Sequence, residues 1–498
     1  MSEYFISRER AENDLLDCAA YLAERIRSAD GHAEAMNSVL PRYLAKGDVD
    51  LAAELANAVD DPYSRDRLLI LVAEKCAEID DDEYALQLAD AVEDHGLRAQ
   101  ALERIAIAKA HKGQHEKASE VAESLAHPDQ VLAAIAVDQA VKGDAAAAEE
   151  TFGRIEFATA RANGWQQIAA AQLESESPEK AATSLERALG DADEIEHQEE
   201  RLRALCDIGA AFNDAGRRDL AIETFEIARS SADALDNVHR DFFLVNCALG
   251  FLYAGSEELC ERTLDLVADK TQMASALLGV ARYEWKNDEK ENAADTLDEA
   301  YEIIRSQRDI ETRDSRARNA LMASIAVQFC AFGKPDRAVE IAQENQDIEE
   351  QYGALTQTAQ LLSLRNEDEL ARQTVNEIPD DANRLFAFVA MSDAKKQINA
   401  NDEAMQLLDE AAELSETVPQ LASRSGVLNE IAERYIVNAL TEKARAATLE
   451  NLAVIAEIRD ESSRAASLAG IADVYEASGM ELTDGEKALL VHLAQKAE

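Results

Sequence analysis

Large apolar side chains return along this chain at intervals of three, four and seven residues, the spacing that lines one face of an α-helix. Met36, Leu69, Leu102, Leu132, Trp165, Leu205, Leu244, Leu277, Met322, Leu355, Phe388, Leu428 and Leu468 each open such a stretch. Ile or Val commonly follows three residues on, as at Ile105, Ile135, Ile168, Ile208, Ile325, Ile431 and Ile471. Each stretch runs into a short polar break. The breaks align on Gly47, Asp80, Gly113, Gly143, Glu176, Gly216, Gly255, Asp288, Gly333, Asn366, Asn399, Ala439 and Gly479, with a base spacing of 33 residues. Repetition at this period marks a stack of supersecondary units rather than a single globular core.

Fixed offsets from the breaks carry fixed chemistry. Five residues after the break stands alanine, at Ala52, Ala85, Ala118, Ala148, Ala181, Ala221, Ala293, Ala338, Ala371, Ala404 and Ala444; Cys260 and Asp484 depart from the rule. Seven residues before it stand Ala73, Ala106, Ala136, Ala169, Gly209, Ala248, Ala281, Ala326, Ala359, Ala432 and Ala472, with Leu40 and Ser392 as exceptions. Small side chains at two matched phases let a pair of antiparallel helices approach closely. Four residues before the break an aromatic often fills the remaining gap, as at Tyr43, Phe212, Phe251, Phe329, Tyr435 and Tyr475. Capping signals such as Ser177-Pro178-Glu179 open the second helix just after the break.

This pattern resembles the tetratricopeptide repeat: a large residue (Trp165 or Leu205), a small one four on (Ala169, Gly209), a turn glycine seven further (Gly216) and an alanine five later (Ala221). The resemblance runs over nearly the whole chain. The inter-repeat proline of that family survives only near Pro62, Pro128 and Pro379, and the units of about 40 residues are longer than its usual repeat. It implies an all-α fold, an α-solenoid of about thirteen antiparallel helix-turn-helix (TPR-like) repeats wound as a right-handed superhelix. The expected organisation is a truncated first repeat acting as a cap over 1–31, the repeat array over 32–480 and a capping helix over 481–498. Ala19 lies one period before Ala52, so the segment around it reads as a second helix without its first. Thr483 and Glu486 have the spacing of a capping box opening a final helix.

Composition changes the picture mainly through charge. The 99 acidic and 50 basic residues leave a formal net charge of −49, spread over the chain rather than focused in one block. A field of that sign repels nucleic acid and anionic membranes, which removes both from the expected partners. Two origins remain open: a basic partner, or a solvated acidic surface suited to a salty cytoplasm. The six cysteines, Cys18, Cys76, Cys206, Cys247, Cys260 and Cys330, lie far apart and mostly at apolar phases, as expected of buried reduced thiols in a cytoplasmic protein. Neither a secretory leader nor an apolar run long enough to span a bilayer is read in the chain.

Candidate chemistry is sparse. His111 and His115 have a metal-binding spacing, but Gly113 stands between them at a turn, so no metal site is expected. No nucleophile elbow, phosphate loop or zinc-protease motif occurs, and no catalytic residue and no cofactor are assigned. One recurrent residue is not required by hairpin packing. Arginine stands fifteen residues before the break at Arg65, Arg98, Arg161, Arg201, Arg240, Arg318, Arg384, Arg424 and Arg464, at a helix start where the macrodipole disfavours a cation. The expectation is a ladder in which these guanidiniums bind carboxylates or free carbonyls of the preceding unit.

In tetratricopeptide-like arrays the first helices line the groove where partners lie, which carries positions ten, six, three and two before each break to that groove. Toward the ends these include Glu74, Glu78, Glu103, Glu433, Asp473 and Glu476. In the middle they become Val245, Leu249, Leu252 and Tyr253, then Leu278, Arg282, Trp285 and Lys286, then Ala323, Val327 and Cys330. The first eight of these central residues are the candidate contact residues for a protein or peptide partner; packing between repeats is the competing reading. The stretch carrying Arg305, Arg308, Arg313, Arg316 and Arg318 reads as a mixed-charge surface and a possible second contact. The expected function is a non-catalytic scaffold or adaptor, the alternative a sensory helical-repeat module responding to a peptide or small ligand.

Overall fold

The structure, a computed structural model, describes residues 4–307 and 315–497. Arg308 and Arg313 of the mixed-charge stretch lie outside the described residues. The chain is an all-α repeat array of tetratricopeptide-like helical hairpins, with 28 α-helices and no strand among the described residues. The breaks read from the sequence are the turns. Among the described residues the backbone adopts a left-handed φ at thirteen positions, and these are Gly47, Gly113, Gly143, Gly216, Gly255, Gly333 and Gly479 together with Asp80, Glu176, Asp288, Asn366, Asn399 and Ala439.

The turn chemistry explains why one residue type is not obligatory there. In the hairpin formed by Gln198–Asp214 and Arg218–Asp233, Gly216 donates its N–H to Asn213 at 2.9 Å and Arg217 donates to Phe212 at 2.8 Å. This is a Schellman closure, which satisfies carbonyls that the ending helix leaves open. Ala439 and Leu440 close the same pattern on Ile436 and Tyr435, both at 2.8 Å. A Cβ in this conformation costs about 1–2 kcal/mol, and two hydrogen bonds with the packing behind them hold Ala439 there at φ 58°.

The small residues sit where the two helices of each hairpin cross, and they are sealed. Ala52, Ala85, Ala181, Ala221, Ala293 and Ala338 after the turn, and Ala73, Ala106, Ala136, Ala169, Ala248 and Ala281 before it, have no exposed surface. The position four before the turn is a plug at the end of the first helix. Phe212, Phe251 and Phe329 fill it with rings, and Tyr43 and Tyr435 send their hydroxyls to Asp17 at 2.6 Å and Asp409 at 2.7 Å. Lys395 takes the same place, 1% exposed, with its ammonium 2.7 Å from both Asp368 and Glu403.

Compact packing divides the chain into two units, residues 1–105 with 355–498, and residues 106–354. In both, arginines at helix starts tie one repeat to the next, as expected from the cost of placing a cation there. Arg98 donates twice to the carbonyl of Val92 in the preceding loop, at 3.0 and 2.8 Å, and Arg464 reaches the carbonyl of Ile458 in the same way. Other contacts hold an arginine to the second helix of its own unit: Arg161 binds Asp191 near the end of that helix at 2.6 Å, Arg240 the carbonyl of Leu266 just past it at 3.0 Å, and Arg424 Glu450 within it at 2.6 Å. A carboxylate completes the joint, beside the arginine at Asp66 and Asp241 and after Pro128 at Asp129. Asp66, Asp129 and Asp241 are buried and each accepts two consecutive backbone N–H groups where the next unit begins: Glu93 and Asp94, Glu156 and Phe157, and Ala268 and Asp269.

Within the unit that contains both termini, the last hairpin is completed by the start of the chain. Helix Leu15–Ala23 packs along Glu461–Ser478 as a second helix packs on a first, and Ala29–Lys46 lies beside Glu461–Ser478 as one first helix lies beside the next. The reason is local. After Gly479 the chain has Asp484 where other units have the small crossing residue, and Met480–Leu482 is not helical. The final helix Asp484–Lys496 opens on the Thr483–Glu486 capping box and packs instead on Thr441–Glu457 and Leu15–Ala23. Ala19, at the crossing phase, has no exposed surface.

Candidate interaction surface

The face of interest lies within 106–354, on the first helices Gln198–Asp214, Arg240–Tyr253 and Lys270–Lys286. Each is flanked by first helices of neighbouring repeats as well as by its own second helix. That extra contact widens the buried arc of the helix beyond what a hairpin alone requires. Positions ten before the turn are therefore packed: Val245 is 4% exposed and Leu278 5%. Three before the turn, Leu252 is 4% exposed, while Trp285 is half-buried. Positions six and two before the turn reach the surface, with Leu249 half-buried and Tyr253, Arg282 and Lys286 exposed. The structure thus divides the eight sequence-derived residues into a packed floor of Val245, Leu252 and Leu278 and an accessible set of Leu249, Tyr253, Arg282, Trp285 and Lys286.

Aromatic contacts fix the accessible set. Tyr253 stands edge-on to Tyr283, ring centres 5.7 Å apart, and Trp285 stacks on Phe332 at 4.2 Å with the planes 14° apart. The Lys290 ammonium lies 5.7 Å from the centre of the Trp285 ring. Arg282 donates Nε to Gln328 Oε1 at 2.7 Å, which aims the guanidinium along the face. These rings are held by neighbours on adjacent repeats, so they present area at little entropic cost on binding.

Beside Tyr253 and Leu249 opens a cavity of about 320 Å³, whose other walls include Asp207, Asn213, Asp214, Phe225 and Asn246. Asn213 donates its side-chain amide to the Gly250 carbonyl at 3.2 Å, and its Oδ1 is buried without a hydrogen-bond partner. A buried acceptor left open in a cavity wall suits an incoming N–H donor. Desolvation pushes the Asp207 carboxyl above its usual range, opposed by the charge of Arg203. The sequence reading missed Asp207, Asn213, Asp214 and Asn246; position nine before the turn finds Asn246 in the same repeat and Asp207 one repeat earlier, where position two also finds Asp214.

The other candidates are accounted for structurally. His111 ends its helix and His115 begins the next, and His115 Nε2 lies 2.6 Å from Asp138 Oδ2, which Lys142 also binds at 2.8 Å. No group of three or more His, Cys, Asp or Glu suited to a metal ion occurs among the described residues. All six cysteines are buried thiols outside any disulfide, and burial pushes those of Cys76 and Cys260 up to about 11. No helix among the described residues is long and apolar enough to cross a membrane.

No family model matches the chain, and no curated protein matches it. Solved structures do. A Podospora anserina kinesin light chain protein of nearly identical TPR-like repeats is 15% identical, covering 49% of this chain and 95% of its own, with a TM-score of 0.23. A Rap protein complexed with Competence and Sporulation Factor is 11% identical, covering 78% and 99%, with a TM-score of 0.28. Yeast Tom70 is 14% identical, covering 90% and 97%, with a TM-score of 0.25.

Proposed function

We propose that this chain is a non-catalytic scaffold that holds a protein or peptide partner against the first-helix face of its central repeats. Leu249, Tyr253, Arg282, Trp285 and Lys286 make the contact over the floor of Val245, Leu252 and Leu278. The observation that carries the reading is the exposed Tyr253 beside an open cavity with an unpartnered buried acceptor, Asn213 Oδ1. Tyr, Trp and Arg, gathered on one rigid face, are the side chains that most often anchor a partner. An extended segment satisfies this face by donating a backbone or side-chain N–H to Asn213 and laying an apolar side chain against Leu249 and Tyr253.

The test uses the full chain as bait in extract from its native cell, followed by mass spectrometry of what is retained. Tyr253→Ala with Trp285→Ala is expected to lower recovery of the principal partner at least about tenfold, as loss of two anchoring rings of roughly 1–2 kcal/mol requires, with far-ultraviolet circular dichroism unchanged. Equal recovery by the double variant removes this face as the site.

A further inference from the structure

We propose that the two ends of the array form a seam that a second copy of this chain can close in trans. One side of the seam is Leu15–Ala23 with Ala29–Lys46; the other is Glu461–Ser478. All nine residues of Leu15–Ala23 are buried, with Leu15, Leu16, Tyr21 and Leu22 at most 5% exposed. A terminal cap shows water one polar face. This helix shows it none, so it is built as an internal element whose flanking partner lies at the opposite end of the chain.

The rim of the seam carries complementary charge. Arg42 Nη2 is 2.7 Å from Asp473 Oδ2, Lys46 Nζ is 3.5 Å from Glu476 Oε2, and the Ser462 hydroxyl lies 2.8 Å from both Glu34 and Asp460, which share its one hydrogen. Arg42 and Asp473 are 431 residues apart in sequence, so nothing covalent near the joint obliges the two faces to come from one molecule. The contact is heterologous: one surface on the first repeat fits a different surface on the last. Two chains that exchange ends make both seams with the contacts that one chain makes alone. An opened seam exposes the apolar faces of Leu15–Ala23 and Glu461–Ser478, so the open chain is driven to re-cover them. The tether favours the chain's own end in dilute solution, and concentration favours the exchange.

The seam can be read directly. Full-length chains with natural and with heavy nitrogen are mixed in equal amounts, opened in mild urea, refolded together at high protein concentration and separated by size. A carbodiimide then joins Lys46 to Glu476 without adding atoms. The expected result is a dimer fraction in which the Lys46–Glu476 linked peptides include hybrids of light and heavy chains, beside a monomer fraction with linked peptides of one isotope only. Absence of a dimer at every concentration, or a dimer without hybrid links at this pair, overturns the proposal. So does a monomer without the link, since the seam is then not formed. Ala19→Glu places a carboxylate at a fully buried crossing position and is expected to abolish the hybrid link; if that variant fails to refold, the isotope experiment on the unmodified chain still decides.

Discussion

Phe225 lies between two glycines, and the geometry shows how little room a repeat crossing leaves. A Cβ built on Gly250 falls 2.2 Å from the Phe225 ring, and one built on Gly209 falls 2.8 Å from it. Neither glycine is there for a left-handed φ; each is there because a ring occupies the space of a methyl group. Gly250→Ala is expected to lower stability by about 1–3 kcal/mol through overpacking, read as a drop in thermal midpoint. Gly190, exposed in its helix with no atom near its would-be Cβ, is the control: Gly190→Ala should leave stability unchanged or raise it by up to about 1 kcal/mol, so its midpoint does not fall. Equal effects at the two sites would contradict the packing described. At this scale the sequence was most legible where an offset recurs. All thirteen left-handed positions coincide with the breaks aligned in the sequence, including Glu176 and Ala439, whose residue types alone give no turn signal. The phase of the accessible face was less legible. Val245, Leu252 and Leu278 share the apolar character of a binding floor, and only the neighbouring first helices decide that they are packed.

Individual helices are held by their ends as much as by their faces. Asp460 caps Glu461–Ser478, accepting the Ser463 N–H at 2.7 Å and the Ser462 hydroxyl at 2.8 Å. The Ser463 backbone bond and the hydroxyls of Ser463 and Ser462 hold its carboxyl below the usual aspartate range. A depressed carboxyl contributes stability above its unfolded pKa and loses it as pH falls through the folded value. Asp460→Ala is therefore expected to cost about 1 kcal/mol near neutrality, with the gap to the unmodified chain closing below about pH 4. Thermal melts of both proteins across acid and neutral pH check this, and a gap that persists in acid would assign the loss to something other than the ionised cap. The same economy governs the joints. The arginine that recurs at nine helix starts was conspicuous in the sequence because it opposes the helix dipole. The aspartate beside it, at Asp66 and Asp241, was not: in a chain with 99 acidic residues one more carboxylate carries no signal until its two backbone partners are seen.

For the whole molecule, repeat stability is a sum of hairpin terms and interface terms, so a first and a last repeat with apolar outer faces must cover them. The sequence reading supplied the parts, a lone second helix around Ala19 and a capping-box helix after Thr483, but no local pattern says that residues hundreds apart will meet. That pairing rests on complementary surfaces whose partners are not neighbours in sequence.

The most direct test of this architecture is a pulsed dipolar distance between spin labels at Lys46→Cys and Ala477→Cys, measured on dilute protein. Both sites are exposed, and the six native thiols are buried. The pairing of the first and last repeats predicts a narrow distribution at short distance, under about 25 Å, since adjacent packed helices lie roughly 8–10 Å apart. A broad distribution, or one centred well beyond that distance, would contradict it.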